Sequence, residues 1–495
     1  MKYTSTRGRC EAESAAAIAR GIAADGGLYV PEEFPQLGAA DFDRLAELDY
    51  RGRAKEILSR YLTDFTPDEI ARCVDAAYTG TFDGDAPAPL VEVAPGMHLL
   101  ELWHGPTCAF KDLALQLLPH LLTVSARKAA PDKTLVILVA TSGDTGKAAL
   151  AGFAGVEGTR IIVFYPRDGV SEMQKLQMTT QRGKNVAVCA VDGNFDDAQS
   201  GVKAIFADAA MRAELDAKKL AFSSANSINF GRLVPQIVYY VSAWCDLRKA
   251  GKCAADGSVN VAVPTGNFGN ILAAYYAKRM GVPIRRFICA SNRNSILTDF
   301  IRSGVYDRNR EFYTTSSPSM DILISSNLER LLWHLSGNDC RSVAAWMESL
   351  RTTGRYEVPA ELGKRLRDEF HGDWCGEEGT RAAIGKLFRE NGYLCDTHTA
   401  VAVDVCTRYR AESGDDTPCI VASTASPFKF APAVLSAISP DEKLSGDGFA
   451  LLERLSAVSG AAVPKALAEL RSLPVLHRAS VPRTGMEEFI REFLG

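Results

Sequence analysis

The sequence predicts an α/β protein: two open parallel-sheet lobes with helices on both faces, arranged around a cleft, plus a small N-terminal domain. Three observations predict this. From about residue 99 to 439, short apolar runs of strand length alternate with segments of helical period, the pattern of βαβ units and a parallel sheet. The chain has 495 residues, too many for one core, and divides into about three units by size. Its 46% hydrophobic and 23% charged residues fit an ordinary globular protein and argue against disorder.

Residues 1–95 form the separate N-terminal domain, an acidic, helix-rich segment that ends in the loose G-D-A-P-A-P at 84–89. Residues 134–249 make a small α/β lobe. Its first strand is the buried apolar run 135–140, followed by a loop at 141–146 and a helix from 147. A second strand at 161–165 leads to a helix whose start carries a capping box, Ser171 with Gln174. A third strand at 185–191 precedes a helix that buries Ala198, Val202, Ile205, Phe206 and Ala209 at helical intervals. Residues 96–133 and 250–495 build the large lobe, with strands at 259–263, 285–290 and 419–422. A charged helical insertion is expected at about 339–390, and surface helices from 440 onward.

The net charge of −4 disfavours a nucleic-acid partner, because phosphate-backbone binders gather a basic excess, and leaves a small anionic substrate as the better fit. Twelve cysteines are scattered from Cys10 to Cys419 without C-x-x-C or zinc spacing, so reduced thiols in the cytoplasm are expected and no metal site. No apolar stretch approaches the roughly 20 residues that cross a bilayer, so no membrane association is expected. The oligomeric state stays open between monomer and homodimer.

The chemistry is carried by five loops. H-G-P-T-C-A-F-K-D at 104–112 sets Lys111 between Phe110 and an apolar helical run. Desolvated there, its amine can stay nucleophilic near neutral pH and form a Schiff base with an aldehyde cofactor, which points to a pyridoxal phosphate enzyme. P-T-G-N-F-G-N at 264–270 follows a strand and precedes a helix, so backbone N–H groups can converge on a phosphate, although a glycine turn there is also an ordinary βα connection. T-S-G-D-T-G at 141–146 offers hydroxyls and N–H groups at a helix start, suited to a carboxylate. On the plainer reading Ser142 or Thr145 is a helix cap and Asp144 a dipole partner. In S-S-A-N-S-I-N-F-G-R at 223–232, the planar fork of Arg232 matches a phosphate monoester, or else pairs with a structural carboxylate. After the strand at 419–422, Thr424 is a candidate for the cofactor's ring nitrogen, with helix capping as its alternative. His104 and His398 read more simply as packed or surface histidines than as an acid or base.

These segments, in this order, resemble the long bacterial and fungal type of the threonine synthase family. The likeness continues through S-P-S-M-D-I at 317–322, S-S-N at 325–327, D-T-H-T-A at 396–400 and S-T-A-S-P at 423–427. The resemblance implies the fold type II architecture of the tryptophan-synthase β-subunit group. It implies conversion of O-phospho-L-homoserine and water to L-threonine and phosphate, or in a related enzyme release of 2-oxobutyrate. Lys111 would carry the cofactor, with Gly266, Asn267, Phe268, Gly269 and Asn270 at its phosphate and Thr424 at its ring. Thr107, Thr141, Ser142, Gly143, Asp144, Thr145, Asn226, Ser227 and Arg232 would meet the substrate. The chain departs from the family at Cys108, where a bulkier apolar residue is usual, at Thr397, where proline is common, and at Ser426, where histidine is common.

Overall fold

The computed structural model describes residues 1–84, 86–129, 132–141, 143–168 and 170–495. The larger sheet has six strands in the spatial order Phe370–Trp374, Ile284–Ser291, Val259–Pro264, Cys419–Ser423, Met97–Glu101 and Leu90–Ala94. All neighbours are parallel except the last pair. Every residue of Val259–Pro264 and of Cys419–Ser423 is buried, which is why these strands read as unbroken apolar runs: helices cover both faces. The smaller sheet is wholly parallel, in the order Ala479–Pro482, Val186–Asp192, Thr159–Pro166, Thr134–Ala140 and Leu220–Ser223. The N-terminal segment makes a three-stranded antiparallel sheet of Ala12–Glu13, Lys2–Ser5 and Tyr29–Pro31, with helices Tyr50–Tyr61 and Pro67–Tyr78 beside it.

The structure redraws the expected units in four places. Leu90–Ala94 is the antiparallel edge of the larger sheet, so a boundary at residue 95 cuts a β-hairpin. The segment 339–390 is not purely helical, because Phe370–Trp374 within it extends the larger sheet beside Ile284–Ser291. The 20-residue helix Phe230–Lys249, expected in the small lobe, is buried almost all round against Tyr50–Tyr61 and Gly269–Arg279. Arg53 ties it to the N-terminal segment, donating to Ser242 Oγ at 2.7 Å and Asp246 Oδ1 at 2.6 Å. Finally, the chain returns at its far end. Ala479–Pro482 extends the smaller sheet, and Met486, Ile490 and Leu494 of the helix Met486–Leu494 pack into its core with Val136 and Ile162. A four-residue strand carries too little alternation to be seen in sequence, but it covers an edge that would otherwise expose backbone donors.

Three helices that carry site residues begin earlier than expected, at Lys111, Asp144 and Gly269. Ala209 is exposed and starts a new helix, Ala209–Ala217, which Asp208 caps, and Phe206 is only partly buried. Among the described residues no helix is long and apolar enough to cross a membrane.

Candidate active site

The loops that follow Met97–Glu101, Thr134–Ala140, Val259–Pro264 and Cys419–Ser423 leave the C-terminal ends of parallel strands, where open α/β sheets hold ligands. Lys111 opens the helix Lys111–Leu115 with its side chain only 11% exposed. Nζ donates to Ser319 Oγ at 3.1 Å and lies 3.7 Å from Asp144 Oδ2. Burial pushes its amine down to about 8, opposed by Asp144 and reinforced by Lys429 and Arg232.

Asp144 begins the helix Asp144–Phe153. Its Oδ1 accepts from Lys429 Nζ at 2.5 Å, and the Lys429 side chain is 3% exposed. Burial alone would raise the Asp144 carboxyl, but Lys429 and Lys111 outweigh it and hold the group well below the usual carboxylate range. Asp144 stands in the first turn of its helix, as the dipole reading expects, and it also joins two lysines. Lys429 also donates to Thr107 O at 3.0 Å. The amide and hydroxyl of Thr107 both bond Asp112, at 2.8 and 2.7 Å, so no donor of this fully buried residue is left for a substrate. Burial raises the Asp112 carboxyl to about 6 against those two bonds. Lys147, one turn after Asp144, is buried with no hydrogen bond to its side-chain amine among the described residues, and burial lowers that amine to about 7.

The expected substrate loop is largely committed to itself. Thr141 Oγ1 accepts from the amides of Gly143 and Gly146, each at 3.0 Å, and donates to Gly143 O at 3.1 Å. Gly143 sits at φ 153°, a backbone conformation in which a side chain is strained, and a Cβ there would also push aside the Gln174 amide 2.4 Å away. Thr145 is partly exposed at the helix start, and Ser142 lies outside the described residues.

Arg232 sits in the first turn of Phe230–Lys249, whose cap is Asn229 rather than a substrate group: Asn229 Oδ1 accepts from Gly231 N at 2.9 Å. The Arg232 guanidinium is buried, donates to Ala225 O at 2.8 Å, leaves Nε without a partner and meets no carboxylate among the described residues. Burial lowers it to about 10, still charged at neutral pH. Asn226 is exposed and Ser227 partly so at the loop just before.

In the 264–270 loop Phe268 takes a left-handed φ of 63°, which turns the chain so that Gly269 and Asn270 open the helix Gly269–Arg279. Gly266 approaches Ser319 so closely that a Cβ would lie 2.4 Å from its carbonyl. The backbone is clamped from below: Ser325 Oγ donates to Gly266 O at 2.7 Å, and Asn327 Nδ2 to Asn267 O at 3.0 Å. The Asn267 side chain is exposed. Asn270 Oδ1 accepts from Tyr239 and Tyr240, each at 2.6 Å, while its Nδ2 is buried without a partner among the described residues. Thr424 is buried, with its carbonyl accepting from Phe110 N at 2.8 Å and its hydroxyl free among the described residues. Ser426 is fully buried, its amide on Cys108 O at 3.0 Å and its hydroxyl accepting from Phe428 N at 3.4 Å, so it serves as a cap.

These residues fit pyridoxal phosphate. A buried amine stands ready for the aldehyde, a helix N-terminus with an unpaired Asn270 donor suits its phosphate, and a free Thr424 hydroxyl can face its ring. The cations Lys111, Lys147, Lys429 and Arg232 outnumber the carboxylates Asp112 and Asp144, so the pocket calls for a further anion. Sequence reasoning missed Lys147, Lys429 and Ser319. A lone lysine inside an apolar run was the available signal for the first two.

A family model described as "Pyridoxal-phosphate dependent enzyme" matches residues 85–424, with "Threonine synthase N terminus" over 2–78 and "Threonine synthase, C-terminal" over 399–475. The threonine synthase of Schizosaccharomyces pombe is 37% identical over 469 residues, covering 89% of this chain and 90% of that one. The chain belongs to the threonine synthase family. It therefore shares that family's pyridoxal phosphate dependence and fold. The structure of the pyridoxal-phosphate-bound threonine synthase from Brucella melitensis superposes with a TM-score of 0.88 at 36% identity, covering 100% of this chain and 99% of that one. Threonine synthase-like 1 of Pongo abelii is 40% identical over 482 residues, 95% of this chain. The chain spans 62% of the length of that relative.

Proposed function

We propose that the chain converts O-phospho-L-homoserine and water to L-threonine and phosphate, in the cytoplasm, as the scattered cysteines suggest. The observation that carries this reading is Arg232: a buried guanidinium with no carboxylate partner among the described residues, close enough to Lys111 to depress its amine. A buried cation of this kind is costly unless a ligand supplies the charge, and a phosphate-bearing substrate does so bidentately.

Pyridoxal phosphate, when bound, supplies an electron sink that acidifies the Cα–H of an amino acid joined to it. The amides at the start of Gly269–Arg279, with Asn270, would hold its phosphate, and Gly266, Asn267 and Phe268 set the turn that aims them. Thr424 would face the ring nitrogen, and an alcohol is too weak an acid to protonate it. Lys111 Nζ, drawn down to about 8, takes up and returns the Cα proton near neutral pH. Arg232, with Asn226 and Ser227 at its loop, holds the substrate phosphate and stabilises charge as it leaves Cγ, before water adds at Cβ. Lys147 and Lys429 gather around Asp144 and Asp112, beside Lys111. Thr145 and the T-S-G-D-T-G loop frame the substrate carboxylate, with Thr141 and Gly143 shaping the loop and Asp144 and Thr107 holding the lysines.

Purified chain loaded with pyridoxal phosphate and given O-phosphohomoserine should release threonine and phosphate in equal amounts. A dominant 2-oxobutyrate product would replace this reading with that of a phospho-lyase. Borohydride reduction and peptide mapping should place the pyridoxyl group on Lys111, and Lys111→Ala should lose both the label and turnover.

A further inference from the structure

Ser319, in the turn Pro318–Met320, joins three parts of the site. Its hydroxyl accepts from Lys111 Nζ at 3.1 Å, and its carbonyl backs onto Gly266. Its amide donates to His398 Nε2 at 3.1 Å. An Nε2 that accepts leaves the ring proton on Nδ1, which then donates to Asp396 Oδ1 at 2.9 Å. Asp396 is fully buried and caps the helix Thr397–Ser413 through the amides of His398 and Thr399, so its carboxylate cannot swing away. The Phe430 ring meets the His398 ring at 60° and 4.9 Å, closing the remaining freedom of the imidazole. Thr397 Oγ1 donates to Ser316 O at 2.7 Å, a bond that proline at this position could not make.

We propose that Ser319 is a further catalytic residue, its hydroxyl fixing the direction of Lys111 Nζ, and that His398 with Asp396 is the positioning pair that holds it there. The inference rests on Lys111 being the cofactor lysine. Lys111 is faced by Asp144 from the helix Asp144–Phe153, Lys429 from the turn Pro427–Phe430, Arg232 from the helix Phe230–Lys249 and Asp112 from its own helix. Asp144, at 3.7 Å and committed to Lys429, is beyond hydrogen-bond reach, so the neutral Ser319 hydroxyl is what orients the amine. An amine held on one N–H keeps its lone pair aimed, and a misplacement of an ångström at such a centre costs about a hundredfold in rate.

The test is the titration of Lys111 in the cofactor-free chain, read by competitive acetylation and mass spectrometry across pH. Ser319→Ala removes an acceptor from the ammonium and should lower the midpoint by about half a unit or more. His398→Leu should lower it likewise, while His398→Gln, which keeps an acceptor for the Ser319 amide, should hold it. In the loaded enzyme Ser319→Ala should cut kcat about tenfold or more, with KM changed by less than about threefold. An unmoved midpoint in Ser319→Ala would overturn the catalytic part. Equal midpoints in His398→Leu and His398→Gln would overturn the positioning part. Ser319→Ala leaves every backbone bond of its turn in place, so it decides the matter even if His398→Leu does not fold. The midpoint needs neither cofactor nor substrate, so a chain that makes no threonine leaves this inference standing, and a chain that makes threonine with an unmoved midpoint loses only this inference.

Discussion

Lys429 Nζ meets Asp144 Oδ1 at 2.5 Å and so joins the turn after the larger sheet's strand Cys419–Ser423 to the helix after the smaller sheet's strand Thr134–Ala140. Two elements 285 residues apart are thereby tied across the cleft beside Lys111.

Lys429→Met strands a buried carboxylate. It should cost about 3 to 5 kcal/mol in urea unfolding, the usual result of breaking one partner of a buried pair. The double variant Lys429→Met/Asp144→Asn should recover more than half of that. Additive losses would show that the two side chains act independently.

Burial sets the pH response of Lys111. Its folded value near 8 lies below the ordinary 10.5, so the neutral amine appears as pH rises through 8. Capture of pyridoxal phosphate by the cofactor-free chain should speed up to about pH 9 and then level off. In the window from about 8 to 10.5 the unfolded chain holds the proton longer than the folded one, so stability should also rise there. A capture rate still climbing at pH 10 in stopped-flow absorbance would contradict the burial of this amine.

Arg232→Ala removes a charge that no carboxylate balances among the described residues. Stability without substrate should hold or rise, because a buried unpaired cation costs folding free energy. Turnover of O-phosphohomoserine should fall by about a hundredfold to a thousandfold. Arg232→Lys should restore little of it, since an ammonium cannot replace a bidentate fork. Loss of the cofactor in Arg232→Ala would move the residue to a different role.

The returning C-terminal helix belongs to the smaller sheet's core. Ile490 is fully buried there, and Ile490→Ala should cost about 2 to 5 kcal/mol in thermal unfolding. Ile22, 43% exposed, provides the control: Ile22→Ala should stay within about 0.5 kcal/mol. Equal effects at the two positions would mean that the tail does not support the lobe.

The parallel strands were legible because a strand covered on both faces must be apolar along its whole length, as 135–140, 259–263 and 419–422 are. Lys111, Arg232 and the loops at 141–146 and 264–270 were legible because each lies where a strand or loop meets a helix, a boundary marked by glycine and hydroxyl residues. Leu90–Ala94, Phe370–Trp374 and Ala479–Pro482 were not, because short edge strands show no period long enough to tell them from loops.

The sequence by itself determined the buried parallel strands at 135–140, 259–263 and 419–422, which lysine stands before an apolar helix, and which family the chain resembles, since these follow from local patterns of residue type. Only the tertiary structure decided that Asp144 pairs with Lys429, that Thr107 is consumed by Asp112, that Arg232 meets no carboxylate among the described residues, and that Ser319 reaches Lys111 with His398 behind it. The physical reason is that the strength of a charge contact depends on separation and on the dielectric around it. Both quantities are created by burial among residues far apart in the chain, and no spacing along the sequence records them.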